Sequence, residues 1–270
     1  MALEVVILPR HARIQSPTGY YHIMMRGNNR ESIFSRDDQK RLFYECLKEY
    51  GEDHSVDIVA YCLMDNHVHI VVKANTLNLA NAIKCINTKY AMNFNRQRDR
   101  VGHVFQDRYK SQAILDDKYL LQVIRYVHNN PVKAKMVKSF KDYSWSSYNE
   151  YIDENFIVGD QQKEFVLGYF SRSIEQFEEF HKKKDNLEYL EVKEDIVKER
   201  MEAAQDIISE FFTKKGLIEA KQVKQNFLYL EELIQNLLEK SKLTHRQIAS
   251  LLSISNNVVH SVSLQKIDKE

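Results

Sequence analysis

From residue 20 onward the apolar positions of the chain alternate between the two-residue period of strands and the 3.6-residue period of helices. Tyr20 to Met25 (Tyr-Tyr-His-Ile-Met-Met) reads as a strand running into Arg26-Gly27-Asn28-Asn29-Arg30, a turn-rich basic loop. Ser35 caps a helix through about Tyr50, with Leu42, Phe43, Cys46 and Leu47 at helical spacing. Val56 to Leu63 is a second strand, Asp65-Asn66 a hairpin turn and His67 to Val72 a third strand. A long helix from Asn78 to about Arg98 carries Leu79, Ile83, Ile86, Tyr90 and Phe94 on one stripe. Val104 to Leu115 is extended, and Asp117 to Asn130 is a third helix that Pro131 ends. Strand, helix, strand, strand, helix, strand is the split β-α-β order of an α+β, ferredoxin-like domain with helices on one face of an antiparallel sheet. Such a sheet sets its first and third strands side by side, making His22 a neighbour of His67 and His69.

After Trp145 one helical pattern follows another, around Gln162 to Phe170, Ser173 to Lys184, Val192 to Lys214 and Glu219 to Ser241. Turn residues between 153 and 160 place a boundary there, giving expected segments 1–152, 153–240 and 241–270. In the last segment Thr244 and Gln247 fit a capping box. Ile248, Ala249, Leu252, Ile254, Val259 and Val262 fall where a helix-turn-helix buries apolar residues. Ser253 stands where a turn glycine is commonest, and the candidate second helix offers Asn256, Asn257 and His260 but hardly any positive charge. The tail is open to two readings, a duplex-DNA contact or a plain helical hairpin.

Composition narrows the class. A chain of 270 residues with 15 Tyr and 13 Phe, but only 7 Gly and 3 Pro, can bury a sizeable core. No apolar run reaches the roughly 18 residues of a membrane span, and the start carries Glu4 without a basic lead, unlike a signal peptide; a cytoplasmic protein is expected. Cys46, Cys62 and Cys85 are odd in number, lack a C-x-x-C spacing and read as core thiols. The net charge of +1 hides an asymmetry: residues 1–150 hold 22 Lys and Arg against 16 Asp and Glu, and residues 151–270 hold 17 against 22. A basic first half suits a polyanion-binding domain.

The chemistry gathers in two places. His67 and His69 sit one residue apart at the start of a strand and so share one face, a paired-ligand geometry that two ordinary polar-face histidines would share. Tyr126 and Asn130, four residues apart, stack on one face of the third helix. Two neutral imidazoles and an amide oxygen make a three-ligand divalent site with open positions, and a phenol one turn away can attack a phosphate that the cation polarises. On the helix alone, Tyr126 as a core tyrosine and Asn130 as a helix cap fit equally well.

Seven blocks in order change that balance: Pro-Arg-His-Ala-Arg (9–13), Tyr-His-Ile-Met-Met-Arg-Gly-Asn-Asn-Arg (21–30), Ile-Phe (33–34), Tyr-Cys-Leu-Met-Asp-Asn-His-Val-His (61–69), Gly-His-Val-Phe-Gln-Asp-Arg-Tyr-Lys (102–110), Arg-Tyr-Val-His-Asn-Asn-Pro-Val-Lys-Ala (125–134) and Trp-Ser-Ser-Tyr (145–148). Together they resemble the HUH single-tyrosine transposases, in the branch of REP-associated tyrosine transposases, from about Pro9 to Tyr151. The resemblance implies His67 and His69 as ligands of Mg or Mn, Asn130 as the third ligand where related insertion-sequence enzymes usually have glutamine, and Tyr126 as the nucleophile. It implies a 5′-phosphotyrosine on single-stranded DNA with release of a 3′-OH, at hairpin-associated sites, by a monomer or homodimer. Tyr119, seven residues earlier on the same face, is the reserve nucleophile. Arg26, Asn28 and Arg30, with Arg108 and Lys110, are natural contacts for the DNA strand. The alternative is a ferredoxin-like nucleic-acid-binding or regulatory protein that does no chemistry.

Overall fold

The computed structural model describes residues 14–53, 56–153, 157–184, 187, 189–191, 193–218 and 220–267; the block at 9–13 and the expected helix start at Val192 lie outside them. Four strands form one antiparallel sheet in the order β2-β3-β1-β4: β1 (Tyr20–Arg26), β2 (Asp57–Leu63), β3 (His67–Lys73) and β4 (Lys110–Ala113). Helices α1 (Asp37–Asp53) and α2 (Thr76–Gln97) connect them in the ferredoxin-like manner, and α3 (Asp117–Lys133) follows the last strand. β1 pairs with β3 as expected, with Met24 opposite His69 and Arg26 opposite His67.

α1 and α2 cover one face, as the ferredoxin-like order predicts, and α3 covers the other. Tyr21, Ile23, Met25, Val68, Ile70 and Val72 pack with Phe43, Leu47, Leu79, Ile83 and Tyr90 on one side of the sheet. Tyr20, Ala60, Cys62 and Val71 pack with Leu120, Val123, Ile124 and Val127 of α3 on the other. The reason lies in the strands: every residue of β1 is buried, so both of its faces need cover. Each fully buried Leu, Ile or Phe in these layers contributes roughly 1.5–3 kcal/mol.

Three local expectations are corrected. The extended segment expected over 104–115 is a strand only at Lys110–Ala113, because residues 104–106 give their backbone to the basic loop: Asn28 N–H donates to Val104 O at 2.8 Å and Gln106 N–H to Arg26 O at 2.9 Å. Pro131 does not end α3, which runs to Lys133; its missing N–H falls in the last turn, and Ala134 N–H closes the helix on Asn130 O at 2.9 Å. The helix expected over 219–241 is two, α7 (Ala220–Gln225) and α8 (Phe227–Lys240), divided at Asn226, whose side chain caps the second.

The chain falls into two compact units, Met1–Leu190 and Glu191–Glu270. The division lies beyond the boundary expected after residue 152, because α4 (Asp160–Gly168) and α5 (Ile174–Lys182) bury Val166, Phe177 and His181 in the first unit. The second unit contains α6 (Lys193–Lys215), α7, α8, α9 (His245–Leu252) and α10 (Asn256–Ile267) around Leu233, Ile234, Leu237, Ile248, Val259 and Val262. The capping box of Thr244 and Gln247 is formed, and Ser253 takes the left-handed conformation at φ 51°. Cys46 and Cys62 are buried free thiols, Cys85 a half-buried one, and no described helix is long and apolar enough to cross a membrane.

Candidate active site

At one end of the sheet the last residue of β1 and the first residues of β3 and β4 come together. This end carries Arg26, His67 and Lys110, and the basic loop is tied to it by Gly27 N–H donating to Asn66 O at 2.8 Å. Gly27 is the pivot. A Cβ there would stand 2.3 Å from Glu31 O and 2.9 Å from Ile33 Cγ2, a collision with backbone that no rotamer relieves. Gly27→Ala is therefore expected to cost about 1–3 kcal/mol of stability and to displace the loop. Thermal unfolding and the anisotropy of a fluorescent single-stranded oligonucleotide should both register the change, and parent-like values in both would show the approach to be unimportant.

His69 is buried and His67 half-buried, their rings perpendicular with centroids 5.0 Å apart. Asn66 Oδ1 lies 2.7 Å from His67 Nδ1, and since a carboxamide oxygen only accepts, Nδ1 bears the proton and Nε2 the lone pair. His69 Nδ1 lies 3.0 Å from Nε2 of His22, which is fully buried on the same face. Burial holds His22 near a pKa of about 3. Burial, followed by the His67, His22 and Lys133 charges, holds His69 well below the ordinary histidine value, so the imidazoles are in the neutral form that ligates cations.

Tyr126 projects from α3 onto this cluster. Its ring meets His69 edge-on at 5.5 Å and His22 at 5.8 Å, and Lys133 Nζ lies 5.7 Å from its centroid. Asn130 is buried one turn further on, and its Nδ2 donates to Tyr126 O at 2.9 Å, which leaves the oxygen as the atom it can offer a cation. Among the described residues no three His, Cys, Asp or Glu side chains come together as a metal cage. Two of the three expected donors fit Mg or Mn, a lone pair fixed on His67 and a neutral His69, and the Asn130 amide lies one helical turn beyond the tyrosine that packs against His69. Tyr119, the reserve nucleophile, stacks with Tyr189 at 6.3 Å, and Tyr189 also lies 4.2 Å from Tyr126, nearly parallel to it.

The proposed DNA contacts divide by exposure. Arg30, Arg108 and Lys110 are exposed, Asn28 is half-buried and Arg26 is buried beneath the loop. The ladder contacts between residues 26–28 and 104–106 bring the loop and the Arg108–Lys110 approach to the same edge.

A family model for IS200-like transposases matches residues 15–130. A Haemophilus influenzae protein assigned as a REP-associated tyrosine transposase is 30% identical over 118 residues, spanning 40% of this chain and 67% of that protein. The chain belongs to the IS200-like transposase family, in its REP-associated tyrosine transposase branch. Among solved structures, this transposase is similar to a REP-associated tyrosine transposase bound to a REP hairpin: 17% identity, TM-score 0.46, covering 57% of this chain and 98% of that one. It is also similar to a Deinococcus radiodurans protein assigned as a transposase, with 15% identity, TM-score 0.32 and coverage of 45% and 95%. Sequence reading of this transposase passed over Asn66, Lys133 and Tyr189. Asn66 had a signal, since an amide next to His67 can set the histidine's proton; Tyr189 had none, because its contact depends on the path of a chain 63 residues downstream.

Proposed function

We propose that this transposase nicks and rejoins single-stranded DNA at hairpin-associated sites, with Tyr126 as the nucleophile and His67, His69 and Asn130 holding Mg or Mn. The observation that carries the reading is the packing of the Tyr126 ring against His69 and His22 on one sheet face, with Asn130 one helical turn away. In the reaction Tyr126 Oη forms a bond to the scissile phosphorus and loses its proton. The bond from phosphorus to the 3′ oxygen breaks, and that oxygen takes up a proton as a free 3′-OH. The tyrosyl ester keeps the energy of the broken bond, so rejoining needs no nucleotide cofactor. A bound divalent cation supplies the positive charge that makes the phosphate electrophilic to a phenol of ordinary pKa near 10.

Arg26, Asn28 and Arg30, with Arg108 and Lys110, form the phosphate-contacting edge that leads the strand toward Tyr126. The strand reaches Oη when the ring of Tyr189 moves off Tyr126, which is only 8% exposed. In the second unit Asn256, Asn257 and His260 are exposed at the start of α10, and we assign them a contact with duplex DNA flanking the site.

The test incubates the full chain with Mn2+ or Mg2+ and a pool of 3′-labelled hairpin oligonucleotides, then looks for protein-linked label on a denaturing gel. A covalent band should form with the cation and disappear with EDTA or in His67→Ala. DNA binding without a band on any hairpin would favour the non-catalytic binding module, a reading supported by the cover that Tyr189 puts over Tyr126.

A further inference from the structure

A histidine that ligates through Nε2 must keep its proton on Nδ1. For His69 that proton points at His22, because Nδ1 of His69 and Nε2 of His22 are 3.0 Å apart. The bond then runs from His69 N–H to a bare His22 Nε2, which forces the proton of neutral His22 onto its own Nδ1. That atom is buried with no hydrogen-bond partner among the described residues. On the neighbouring strand the residue directly opposite His22 is Gln112, and its Oε1 is likewise buried with no partner. Directly opposed residues of an antiparallel pair have Cβ atoms roughly 4.5–5.5 Å apart on the same face, within reach of one another's side chains. A donor in need of an acceptor and an acceptor in need of a donor therefore sit on directly opposed residues of β1 and β4, not bonded to one another as they stand, beside a histidine whose proton position decides whether it can bind a cation.

We propose that Gln112 and His22 are positioning residues that form a relay across three strands, Gln112 to His22 to His69, which fixes the Nδ1–H form of His69 and presents its Nε2 to the cation. The inference rests on the cation site of the proposed function and adds to it the residues that orient its buried ligand. The opposite proton arrangement carries its own penalty. If His22 donated from Nε2, His69 would carry its proton on Nε2 where the cation must bind, and His22 Nδ1 and Gln112 Oε1 would oppose two lone pairs in a buried site. His67 needs no such relay because Asn66 fixes its proton from the turn. The two ligands are thus oriented independently, one by a neighbour in sequence and the other by a chain of side chains crossing the sheet.

Gln112→Leu removes the acceptor from an edge strand at similar volume, and Gln112→Glu restores an acceptor oxygen at the same position. Mn2+ affinity of the full chain is measured by isothermal titration calorimetry, and the proton position of His69 by 15N chemical shifts of histidine-labelled protein without metal. Gln112→Leu is expected to weaken Mn2+ binding by about 10- to 100-fold, the usual effect of losing an outer-shell partner, and to move the His69 proton from Nδ1 toward Nε2. Gln112→Glu should keep parent-like affinity and the Nδ1–H form. The relay is overturned if the parent binds Mn2+ and Gln112→Leu binds it equally tightly with His69 unchanged. A parent chain that takes up no Mn2+ overturns the cation site itself and the relay with it, so the two failures are told apart by the parent titration.

Discussion

Tyr126→Phe is expected to abolish the covalent protein–DNA band while leaving hairpin affinity and thermal stability close to those of the parent. The substitution removes one atom from a ring whose packing is otherwise preserved: phenylalanine keeps the edge-on contacts with His22 and His69, the stack under Tyr189 and the Lys133 ammonium near the ring. Among the described residues Tyr126 is the tyrosine whose ring packs against His22 and His69, and loss of a nucleophile with the rest of the site intact costs on the order of a thousandfold or more in rate. Binding should be spared because the contacts proposed for the strand lie on the basic loop and the Arg108–Lys110 edge, not on the phenol. Tyr119→Phe supplies the contrast and should retain the band, since Tyr126 is the tyrosine packed against the histidines. A band that survives in Tyr126→Phe and vanishes in Tyr119→Phe would transfer the chemistry to the reserve tyrosine. Loss of hairpin binding in Tyr126→Phe would mean that the ring is part of the DNA contact.

How much of this was legible in the sequence depends on how local the determining physics is. β1, β3, α1 and α2 follow from period alone, because their apolar residues recur at spacings that only one backbone conformation can bury. The closeness of His22 to His69 followed from topology, since a ferredoxin-like order leaves the first and third strands as neighbours; the diagonal contact needed the register, in which Met24 and not His22 stands opposite His69. The side that α3 covers was not read from the sequence, because it follows from the burial of both faces of β1, which a count of elements does not reveal. Pro131 was read as a stop, although a proline in the last turn breaks little that a helix end would have kept. At the candidate site, residue types singled out His67, His69, Tyr126 and Asn130 as candidates, whereas Gln112 looked like any polar residue near a sheet edge. Its interest arises only when β4 is laid against β1 and two directly opposed residues are each found to carry a buried atom without a partner.

The first unit is expected to lose stability steeply as the pH falls from about 6.5 toward 4, and a second pair of histidines is the main cause. His128 on α3 and His181 on α5 are buried, with His128 Nδ1 2.9 Å from His181 Nε2. His181 Nδ1 donates to Phe177 O at 2.8 Å, so its Nε2 is bare and accepts from His128, whose own Nε2 lies 2.9 Å from Ser147 Oγ. Two neutral imidazoles satisfy this network; a proton on His181 Nε2 would face the Nδ1 proton of His128 and require His128 to shift that proton to its own Nε2. Burial and the neighbouring His181 charge hold His128 well below the ordinary histidine value. Burial, partly offset by the Phe177 carbonyl and reinforced by Arg125, holds His181 to about 4. The unfolded chain takes up these protons near pH 6.5 and the folded chain resists until much lower, so below 6.5 the unfolded state binds more protons and gains in relative stability. For His181 alone the displacement amounts to about 3 kcal/mol, of which nothing is lost above pH 7. Glu150 acts in the opposite sense, since burial raises its carboxyl and acid relieves that burden, but hydrogen bonds from the Tyr61 hydroxyl and Val158 N–H hold part of the shift back. Urea unfolding at pH 7.5, 6 and 5 should show the decline in the parent and a shallower slope in His181→Gln, even if that variant starts lower at pH 7.5. His22 and His69 push in the same direction, so the slope is reduced and not erased. Equal slopes in the two proteins would remove the pair from the account. Because His128 sits two residues beyond Tyr126, protonation that loosens α5 from α3 acts on the helix that carries both Tyr126 and Asn130, and loss of the nicking activity should accompany the fall in stability.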